Sequence, residues 1–403
     1  MLEKISFMPR VIIGNEVKNN ECKKNQEIAL YINIPFCKSK CGFCGINTEC
    51  NFDDYKSYIN ALEINLRKNL ENIGDKYISC IHIGGGTPTI LPDNDLISFL
   101  DMISRRIPNY NMIEKVIEAN PESLSKEKID IISDNKNMTL SIGIQSLDEK
   151  ILNACRRKCD ITKTLELIEY AKKAKINGLG IDLIYGLPYS TIHDVLKSLD
   201  MLIKMDVDYF SIYPFWKEEK SSIGLKWNKY ENKISNKCDL EEIYNKIVLL
   251  LTNSNFIQKS CHHFEKKDIN SLFKYNTCQL NGKEWIGVGA SAVSYYDGIL
   301  CENTCNAKKF IEAINEKSYS YEYIKKLTLS DIVLEEIFFK VRRYQGVNIK
   351  EEYGSIIWNG IKGKFDCWEN KGLLLCNNNS FVLTPKGVLE LGNMEKELRD
   401  ILV

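Results

Sequence analysis

The sequence predicts an α/β fold, an open, partial (βα)6 barrel with a winged-helix-like C-terminal extension. Between residues 28 and 215, six short apolar or β-branched runs alternate with longer segments of helical period. Strands separated by helices form right-handed βαβ units and a parallel sheet, and six units are too few to close an eight-stranded barrel. From about residue 328 the chain combines helices with a hairpin pattern, as a winged helix does.

The six predicted strands follow one another along the chain. The amphipathic segments between them, such as DDYKSYINALEINLRKNLENI, carry Leu and Ile at three- and four-residue intervals, which indicates helices with one buried face. The predicted strands are IALYINI (28–34), SCIHI (79–83), KVIEA (115–119), LSIGI (140–144), GLGIDLI (178–184) and YFSIY (209–213).

Four segments are expected. Residues 1–27 form a lead-in, 28–220 the partial barrel, 221–327 an extension that closes the active site, and 328–403 the small C-terminal domain. The extension begins with a charged, irregular connection and continues with a helix at 239–253 and the Gly-rich segment WIGVGASAVSYYDG. In the last segment we predict a helix at 330–343, a turn at Gln345-Gly346 and a hairpin within 372–387.

Composition and charge exclude several classes of protein. Lys and Arg equal Asp and Glu at 54 each, so no overall charge directs the chain to nucleic acid or to a membrane surface. The N-terminus lacks the apolar core of a signal peptide, and no apolar run approaches the roughly 20 residues of a membrane span. We therefore expect a cytoplasmic monomer without a nucleic-acid or membrane partner.

The stretch YINIPFCKSKCGFCGIN carries three cysteines, Cys37, Cys41 and Cys44, directly after the first predicted strand. Thiolate sulfur is the ligand that iron–sulfur clusters use, and a four-iron cluster with three protein thiolates leaves one iron free for another ligand. The alternative is a zinc site that recruits Cys50 or a distant thiol, although zinc sites more often show paired C-x2-C units. The spacing therefore favours a [4Fe–4S] cluster.

Polar and Gly-rich features fall where predicted strands end. GGGTPT follows the second strand, Glu118 ends the third, Gln145 ends the fourth, and Asp182 lies inside the fifth. In parallel α/β sheets the chemistry occurs at the carboxyl ends of the strands, so these groups are expected at one rim. His82 is expected to be a core imidazole with its hydrogen bonds satisfied. If their segment is extended, the adjacent His262 and His263 point in opposite directions and cannot both ligate one metal ion.

These motifs resemble those of the radical S-adenosylmethionine (SAM) enzymes, and more closely those of the oxygen-independent coproporphyrinogen III oxidases and their relatives. The resemblance covers roughly residues 28–390. It is carried, in the order and at the spacing of that family, by LYINIPFCKSKCGFCG, IHIGGGTPT, EANPES, SIGIQSLDEKILNACRR, IDLIYGLP and IGVGASAVS.

The resemblance implies a [4Fe–4S] cluster on the three cysteines and reductive cleavage of SAM to a 5′-deoxyadenosyl radical. It also implies a small-molecule substrate and an electron donor such as flavodoxin or ferredoxin. The family positions that hold the first SAM are Tyr31, Gly85, Glu118 and Val293 in this chain. Those around a second SAM are Phe43, Gly86, Thr87, Gln145, Arg157 and Asp182.

The chain departs from the oxidase pattern at three positions. Ile46 replaces an additional cysteine, Asn33 stands where many relatives have histidine, and Trp216 stands where the oxidase has a small residue beside the second SAM. The departures affect the substrate assignment and leave the radical machinery in place.

Three functions therefore follow from the resemblance. The first is oxidative decarboxylation of a coproporphyrinogen in anaerobic porphyrin biosynthesis, and the second is methyl transfer from a second SAM to an sp2 carbon of a heterocycle. The third is heme binding for delivery. Heme-delivery relatives usually carry Asp and His where this chain has Gly45 and Asn33, which places that function last.

Overall fold

The computed structural model describes residues 26–267, 269 and 272–399. The predicted lead-in, residues 1–27, lies outside the described residues except for its last two positions. In this part of the chain the strands are β1 (Glu27–Ile34), β2 (Tyr77–Gly85), β3 (Glu114–Ala119), β4 (Met138–Gln145), β5 (Gly178–Tyr185), β6 (Tyr209–Pro214), β7 (Phe256–Gln258), β8 (His263–Lys266), β9 (Trp285–Val288), β10 (Val293–Tyr296), β11 (Ile299–Asn303), β12 (Tyr321–Lys326), β13 (Leu374–Asn377) and β14 (Ser380–Leu383).

The helices cover the outer face of the sheet and build the C-terminal domain. They are α1 (Tyr55–Asn72), α2 (Asp93–Arg106), α3 (Lys126–Ser133), α4 (Glu149–Ala154), α5 (Ile161–Lys173), α6 (Ile192–Lys204), α7 (Ser222–Leu225), α8 (Trp227–Tyr230), α9 (Lys237–Asn253), α10 (Lys274–Leu280), α11 (Ala307–Lys317), α12 (Leu329–Lys340), α13 (Ile349–Asn370), α14 (Pro385–Leu389) and α15 (Leu391–Arg399).

Strands β1 to β6 form the parallel barrel sheet that the sequence predicts, with neighbours paired in chain order. Each strand is followed by at least one helix, and the apolar faces of these helices pack on the sheet. In α1, for example, Tyr58, Leu62 and Leu66 are fully buried and lie four residues apart on one helix face. The predicted α/β fold class is confirmed.

The sheet extends beyond the six parallel strands, which the strand pattern did not predict. Beside β1 lies β9, also parallel, and then the antiparallel strands β10, β11 and β12. Beside β6 lie the antiparallel strands β8 and β7. The extra strands pair the edges of the partial barrel, whose backbone groups would otherwise be unpaired.

The extension differs in a second respect. The stretch EEKSSIGLKWNKYENKISNK (218–237), predicted to be irregular, contains the two short helices α7 and α8. The predicted helix at 239–253 is α9, beginning at Lys237. In α7 the hydroxyl of Ser221 accepts a hydrogen bond from the Gly224 N–H and caps the helix. Helices of one turn have no periodic pattern for a sequence to display, which is why this one was not predicted.

The C-terminal domain is winged-helix-like. It contains α12 to α15 and the hairpin of β13 and β14, whose turn residues Asn378 and Asn379 both have positive φ, as a two-residue hairpin turn requires. The domain contacts the barrel through a backbone hydrogen bond from the Cys261 N–H to the Arg342 carbonyl, 2.9 Å long. None of the helices in the described ranges is long and apolar enough to cross a membrane.

Candidate functional site

The site is built on the inward-facing residues of the parallel strands and on the loop after β1. Side chains alternate along a strand, so every second residue of each strand faces the barrel lumen. The lumen contains Tyr31 from β1, His82 from β2, Glu118 from β3, Asp182 from β5 and Tyr213 from β6. Three of these five side chains, His82, Glu118 and Asp182, are acidic or basic, which is an unusual filling for a barrel.

Glu118 and His82 form a direct pair. The Nε2 atom of His82 lies 2.7 Å from Oε1 of Glu118, and the imidazole also stacks on the Tyr31 ring at a centroid distance of 5.8 Å. His82 was predicted to be an imidazole with its hydrogen bonds satisfied, and its partner is a lumen carboxylate from the next strand. This bond holds the Glu118 carboxylate in place through Oε1 and does not involve Oε2.

Asp182 is a carboxyl group in the lumen without a cationic partner. Its Oδ1 accepts a hydrogen bond from Ser141 at 3.1 Å, and Ser211 donates a second bond. Among the described residues it forms no ion pair. Burial, together with repulsion from Glu118, raises the pKa of Asp182 to about 6. The arrangement suits a cationic ligand, which would compensate the buried negative charge.

The cysteine loop is anchored by its backbone. The Cys37 N–H bonds the Glu49 carbonyl at 3.1 Å, and the Cys44 N–H bonds the Cys41 carbonyl at 3.2 Å. Gly42 lies between two other segments: its N–H donates to the Cys155 carbonyl, and its carbonyl accepts from the Ile223 N–H. The loop is therefore held between the turn after α4 and the start of α7.

The three thiols are partly buried. Burial raises the pKa of the Cys37 thiol to about 11 and also raises the pKa of Cys44. Across the described ranges, no three His, Cys, Asp or Glu side chains are gathered closely enough to ligate one metal ion. Three thiols on one wrapped loop fit a polynuclear cluster, whose separate irons each take one sulfur ligand.

A chain of hydrogen bonds connects two of these cysteines across the strand ends. Cys37 Sγ contacts Thr87 Oγ1 at 3.4 Å, and that hydroxyl accepts a bond from Asn120 Nδ2 at 2.6 Å. Asn120 Oδ1 accepts from Arg157 Nη2 at 2.8 Å, while Arg157 Nη1 donates to Cys41 Sγ at 3.1 Å. Asn120 was not among the predicted site residues. Its position directly after the third predicted strand was the signal that could have found it.

Arg157, predicted to lie beside a second SAM, is buried, with 5% of its surface exposed. Besides Cys41 and Asn120 it bonds the Gly143 carbonyl at the end of β4. Its Nε atom is buried and has no hydrogen-bond partner in the structure. A buried guanidinium with an unused donor fits an anionic ligand, such as a carboxylate.

The glycines after β2 bring the backbone against the cysteine loop. Gly85 has a φ of +107°, and a Cβ atom there would overlap the side-chain amide of Asn33. The Gly86 N–H bonds the Ile34 carbonyl at 2.9 Å, and a Cβ on Gly86 would lie 2.6 Å from the Phe36 carbonyl oxygen. A larger residue at Gly85 would displace the Asn33 side chain, and one at Gly86 would displace the backbone at Phe36.

The other predicted site residues lie around this centre. Gln145, at the end of β4, has a φ of +73° next to an irregularity in the pairing of β4 with β5. Phe43 packs in a separate apolar cluster with Phe215 and Ile223. Val293 begins β10, one strand beyond β9, and its carbonyl accepts the Trp285 indole N–H at 2.9 Å.

Trp216 follows β6 and is 41% exposed. Its ring meets the His262 imidazole edge to face at a centroid distance of 5.5 Å. His262 is itself buried, its Nδ1 atom has no hydrogen-bond partner, and burial lowers its pKa to about 3. Trp216 is therefore held at the end of β6 against a neutral imidazole.

The imidazoles of His262 and His263 do not point in fully opposite directions, because the Tyr213 ring contacts both of them. The ring centroids are 5.1 Å apart for His262 and 6.1 Å apart for His263. The Asn276 amide nitrogen lies 2.8 Å from His263 Nε2, so Nε2 accepts, and Nδ1 then donates to Ser260 Oγ at 2.7 Å. Both histidines are neutral, and His263 is a fixed part of the lumen wall.

Comparison with known proteins agrees with this geometry. The profile described as the Radical SAM superfamily matches residues 31–202, the segment that contains the cysteine loop and the ends of β2 to β5. The chain contains a radical SAM domain. Such a domain implies a [4Fe–4S] cluster and SAM as cofactors, in accord with the expectation from the motifs. The domain also supports an enzymatic function.

Relatives with two different names match nearly the whole chain. A protein named heme chaperone HemW from Bacillus subtilis (strain 168) is 28% identical over 368 residues, which cover 90% of this chain and 96% of the relative. The oxygen-independent coproporphyrinogen III oxidase of Helicobacter pylori (strain J99) is 24% identical, covering 94% and 87%. The expected resemblance to the oxidases is confirmed.

One solved structure shows the same fold over almost the full length. Coproporphyrinogen III oxidase (HemN) from Escherichia coli superimposes with a TM-score of 0.78 and covers 93% of this chain and 91% of its own. Its sequence identity is 20%, so this likeness concerns the fold. The radical SAM barrel and the C-terminal extension are thus arranged as in that enzyme.

Proposed function

We propose that this chain cleaves SAM reductively at a [4Fe–4S] cluster held by Cys37, Cys41 and Cys44, and that it acts on a tetrapyrrole. When bound, the cluster and SAM supply the 5′-deoxyadenosyl radical that abstracts hydrogen from the substrate. The proposed reaction is oxidative decarboxylation of a coproporphyrinogen-type propionate side chain. The names of both groups of relatives refer to tetrapyrroles, which supports the substrate class.

The observation that carries the proposal is the Asp182 carboxyl group in the lumen, which has two serine partners but no cationic partner among the described residues. SAM carries a sulfonium and an ammonium group, and either would compensate this charge. Arg157, with its unused Nε donor, would bind a carboxylate group of the same ligand class. A cation site on β5 and an anion site on the loop after α4 match a zwitterionic ligand.

The remaining residues receive proposed roles on the same basis. Glu118, fixed by His82, would accept a hydrogen bond from the ammonium group of the first SAM, and the backbone at Gly85 would allow that ligand to approach closely. Tyr31 and Val293 would complete this first position. The second position would use the Asp182 and Arg157 pair with Phe43, Gly86, Thr87 and Gln145, and Trp216 would border it.

Heme binding for delivery is the second candidate. The sequence alone placed it last, because heme-delivery relatives usually carry Asp and His where this chain has Gly45 and Asn33. The relatives named as heme chaperones support it, at 28% and 29% identity and 96% coverage of their own length. Ile46, 51% exposed where the oxidases have an additional cysteine, is consistent with a function other than decarboxylation.

Anaerobic reconstitution separates the candidates. The chain is loaded with iron and sulfide, reduced with dithionite and incubated with SAM, and 5′-deoxyadenosine is quantified with and without coproporphyrinogen III. Release of CO2, with the corresponding loss of mass from the coproporphyrinogen, supports decarboxylation. Transfer of a labelled methyl group from SAM to the substrate supports methyl transfer. Tight binding of hemin without either product supports delivery. A fully reconstituted chain that forms no 5′-deoxyadenosine contradicts the proposed radical chemistry.

A further inference from the structure

Two buried nitrogen atoms without hydrogen-bond partners lie on adjoining segments where the barrel meets the C-terminal domain. One is Nδ1 of His262, on the segment between β7 and β8, and the other is Nε of Arg342, two residues after α12. The segments are bonded to each other, because the N–H of Cys261 donates to the Arg342 carbonyl at 2.9 Å. Ser260 and Arg343 pair beside this bond as an isolated β-bridge. We call His262 and Arg342 the seam pair.

Arg342 has no acceptor for its hydrogen-bond donors. A guanidinium carries five N–H groups, yet that of Arg342 makes no hydrogen bond and no ion pair within the described ranges. It lies over the rings of Phe338 and Phe339 instead, at centroid distances of 4.2 and 5.4 Å. Because a buried donor without an acceptor is costly, this arrangement suits a ligand that supplies one.

The acidic groups around Arg342 are bonded elsewhere. Two carboxylates of the C-terminal domain act on its charge, those of Glu335 on α12 and Glu395 on α15. Both are bonded to Arg399, and neither forms an ion pair with Arg342. The Cys261 thiol is neutral, because burial raises its pKa to about 12. These groups temper the positive charge of Arg342 and leave its donors unused.

His262 places the seam pair beside the barrel lumen. It is 8% exposed, and its ring meets that of Tyr213, the lumen residue of β6, at a centroid distance of 5.1 Å. Burial, with smaller contributions from His263 and Arg342, lowers the pKa of His262 to about 3, so its imidazole is neutral. A neutral imidazole carries its proton on one of the two nitrogens. With the proton on Nδ1 it donates, as Arg342 does, and both unused atoms then suit an anion.

We propose that the seam pair is a specificity site that binds a carboxylate group of the substrate, an assignment that rests on the tetrapyrrole function proposed above. The guanidinium of Arg342 would donate to both carboxylate oxygens, and Nδ1–H of His262 would donate to one of them. A carboxylate held there, beside Tyr213, would orient the rest of the substrate in the lumen. The C-terminal domain thereby contributes a binding residue to the barrel.

This subsite is separate from the one that Arg157 provides. Arg157 lies on the loop after α4 and bonds Cys41, beside the proposed cluster, whereas Arg342 belongs to the C-terminal domain. A carboxylate of SAM and a carboxylate of the substrate therefore have different arginines. Removal of one arginine should weaken only its own ligand.

The test compares an acid with its uncharged amide. Coproporphyrin III carries four carboxylates, and its tetra-amide with ethanolamine has the same ring without them. Equilibrium dialysis measures the affinity of each porphyrin, and of SAM, for the reconstituted parent chain and for Arg342→Gln, Arg342→Lys and His262→Phe. Arg105→Gln, at an exposed arginine on α2, is the matched control.

We expect the Arg342→Gln chain to bind coproporphyrin III about ten-fold more weakly than the parent, because charge-assisted bonds are lost, and to bind the tetra-amide as the parent does. Arg342→Lys keeps the charge without the planar fork, so its loss for the acid should be smaller. His262→Phe keeps a ring against Tyr213 and should also weaken the acid alone. SAM affinity should not change in these variants, and Arg105→Gln should match the parent throughout. Should Arg342→Gln fail to fold, the other two variants provide the same comparison.

Equal losses for the acid and the amide overturn the inference, because a disturbed seam would weaken both, and so does unchanged affinity of Arg342→Gln for coproporphyrin III. A loss of SAM affinity with unchanged porphyrin affinity also overturns it, since the carboxylate would then be that of SAM. A parent chain that binds neither porphyrin overturns the inference and the proposed substrate class together. The proposed radical chemistry fails separately: dithionite then produces no 5′-deoxyadenosine in the parent chain, whatever the dialysis shows.

Discussion

Replacing Asp182 by Asn removes a carboxyl group that the barrel lumen holds at an elevated pKa. Burial and the neighbouring Glu118 raise this pKa from 3.8 to about 6, and the hydrogen bonds from Ser211 and Ser141 oppose the shift only in part. Because the folded pKa lies above the unfolded one, the contribution of Asp182 to stability is fully present below about pH 3.8. It is lost as the pH rises through about 6.

The size of the loss follows from the pKa difference. Each pKa unit corresponds to about 1.4 kcal/mol, so ionising Asp182 in the SAM-free chain destabilises the fold by up to about 3 kcal/mol at pH 8. Asn does not ionise, and its amide oxygen can accept the same two serine hydroxyls. The Asp182→Asn chain should therefore be more stable than the parent at pH 8 and about equal to it at pH 4.

Urea unfolding of the cluster-free chains, followed by tryptophan fluorescence, measures the difference. With a denaturant slope of about 3 kcal/mol/M, the variant midpoint should lie up to about 1 M above that of the parent at pH 8. In the reconstituted protein the same variant should lose SAM affinity by roughly ten- to a hundred-fold at the second position, because a charge-assisted hydrogen bond is lost. Equilibrium binding should then count about one SAM instead of two.

Glu114→Gln is the matched control. Glu114 begins β3 at the opposite end of the strand from the site, and burial raises its pKa to about 7. Its substitution should also stabilise the chain at pH 8, yet leave SAM binding unchanged. Equal stability of the Asp182→Asn chain and the parent at both pH values would refute the electrostatic reasoning. Binding of a single SAM by both the parent and the Asp182→Asn chain would refute the existence of a second SAM position.

Three further changes test the site. Cys37→Ala should lose cluster iron and should no longer form 5′-deoxyadenosine, while the control Cys50→Ser should keep about four irons per chain, as measured by iron analysis. Full iron content in the Cys37→Ala chain would contradict the ligand assignment. Asn120→Ala breaks the hydrogen-bonded link between Arg157 and Thr87. It should lower SAM affinity about ten-fold, as measured by equilibrium dialysis, and leave the iron content unchanged. Unchanged SAM affinity would limit Asn120 to a structural role. Trp216→Ala should enlarge the second position and tighten SAM binding there, and a calorimetric titration identical to that of the parent would show that the indole does not border it.

The sequence was sufficient for the parts of the structure that depend on local patterns. Strand and helix periods lie within one segment, so all six parallel strands and the hairpin turn at Asn378 and Asn379 were predicted within about two residues. The cysteine spacing and the order of the motifs identified the radical SAM domain for the same reason. The edge strands β9 to β12 were not predicted, because each is short and needs a neighbouring strand to form.

Tertiary structure decided which polar groups meet. His82 and Glu118 are 36 residues apart in the chain, and Arg157 and Cys41 are 116 apart, so no local pattern indicates either contact. The sequence placed Asp182 in an apolar strand, but only the packing of β4 and β6 on β5 supplies the hydroxyls of Ser141 and Ser211. Its elevated pKa arises from the same packing, because desolvation and the Glu118 charge exist only when the barrel is formed.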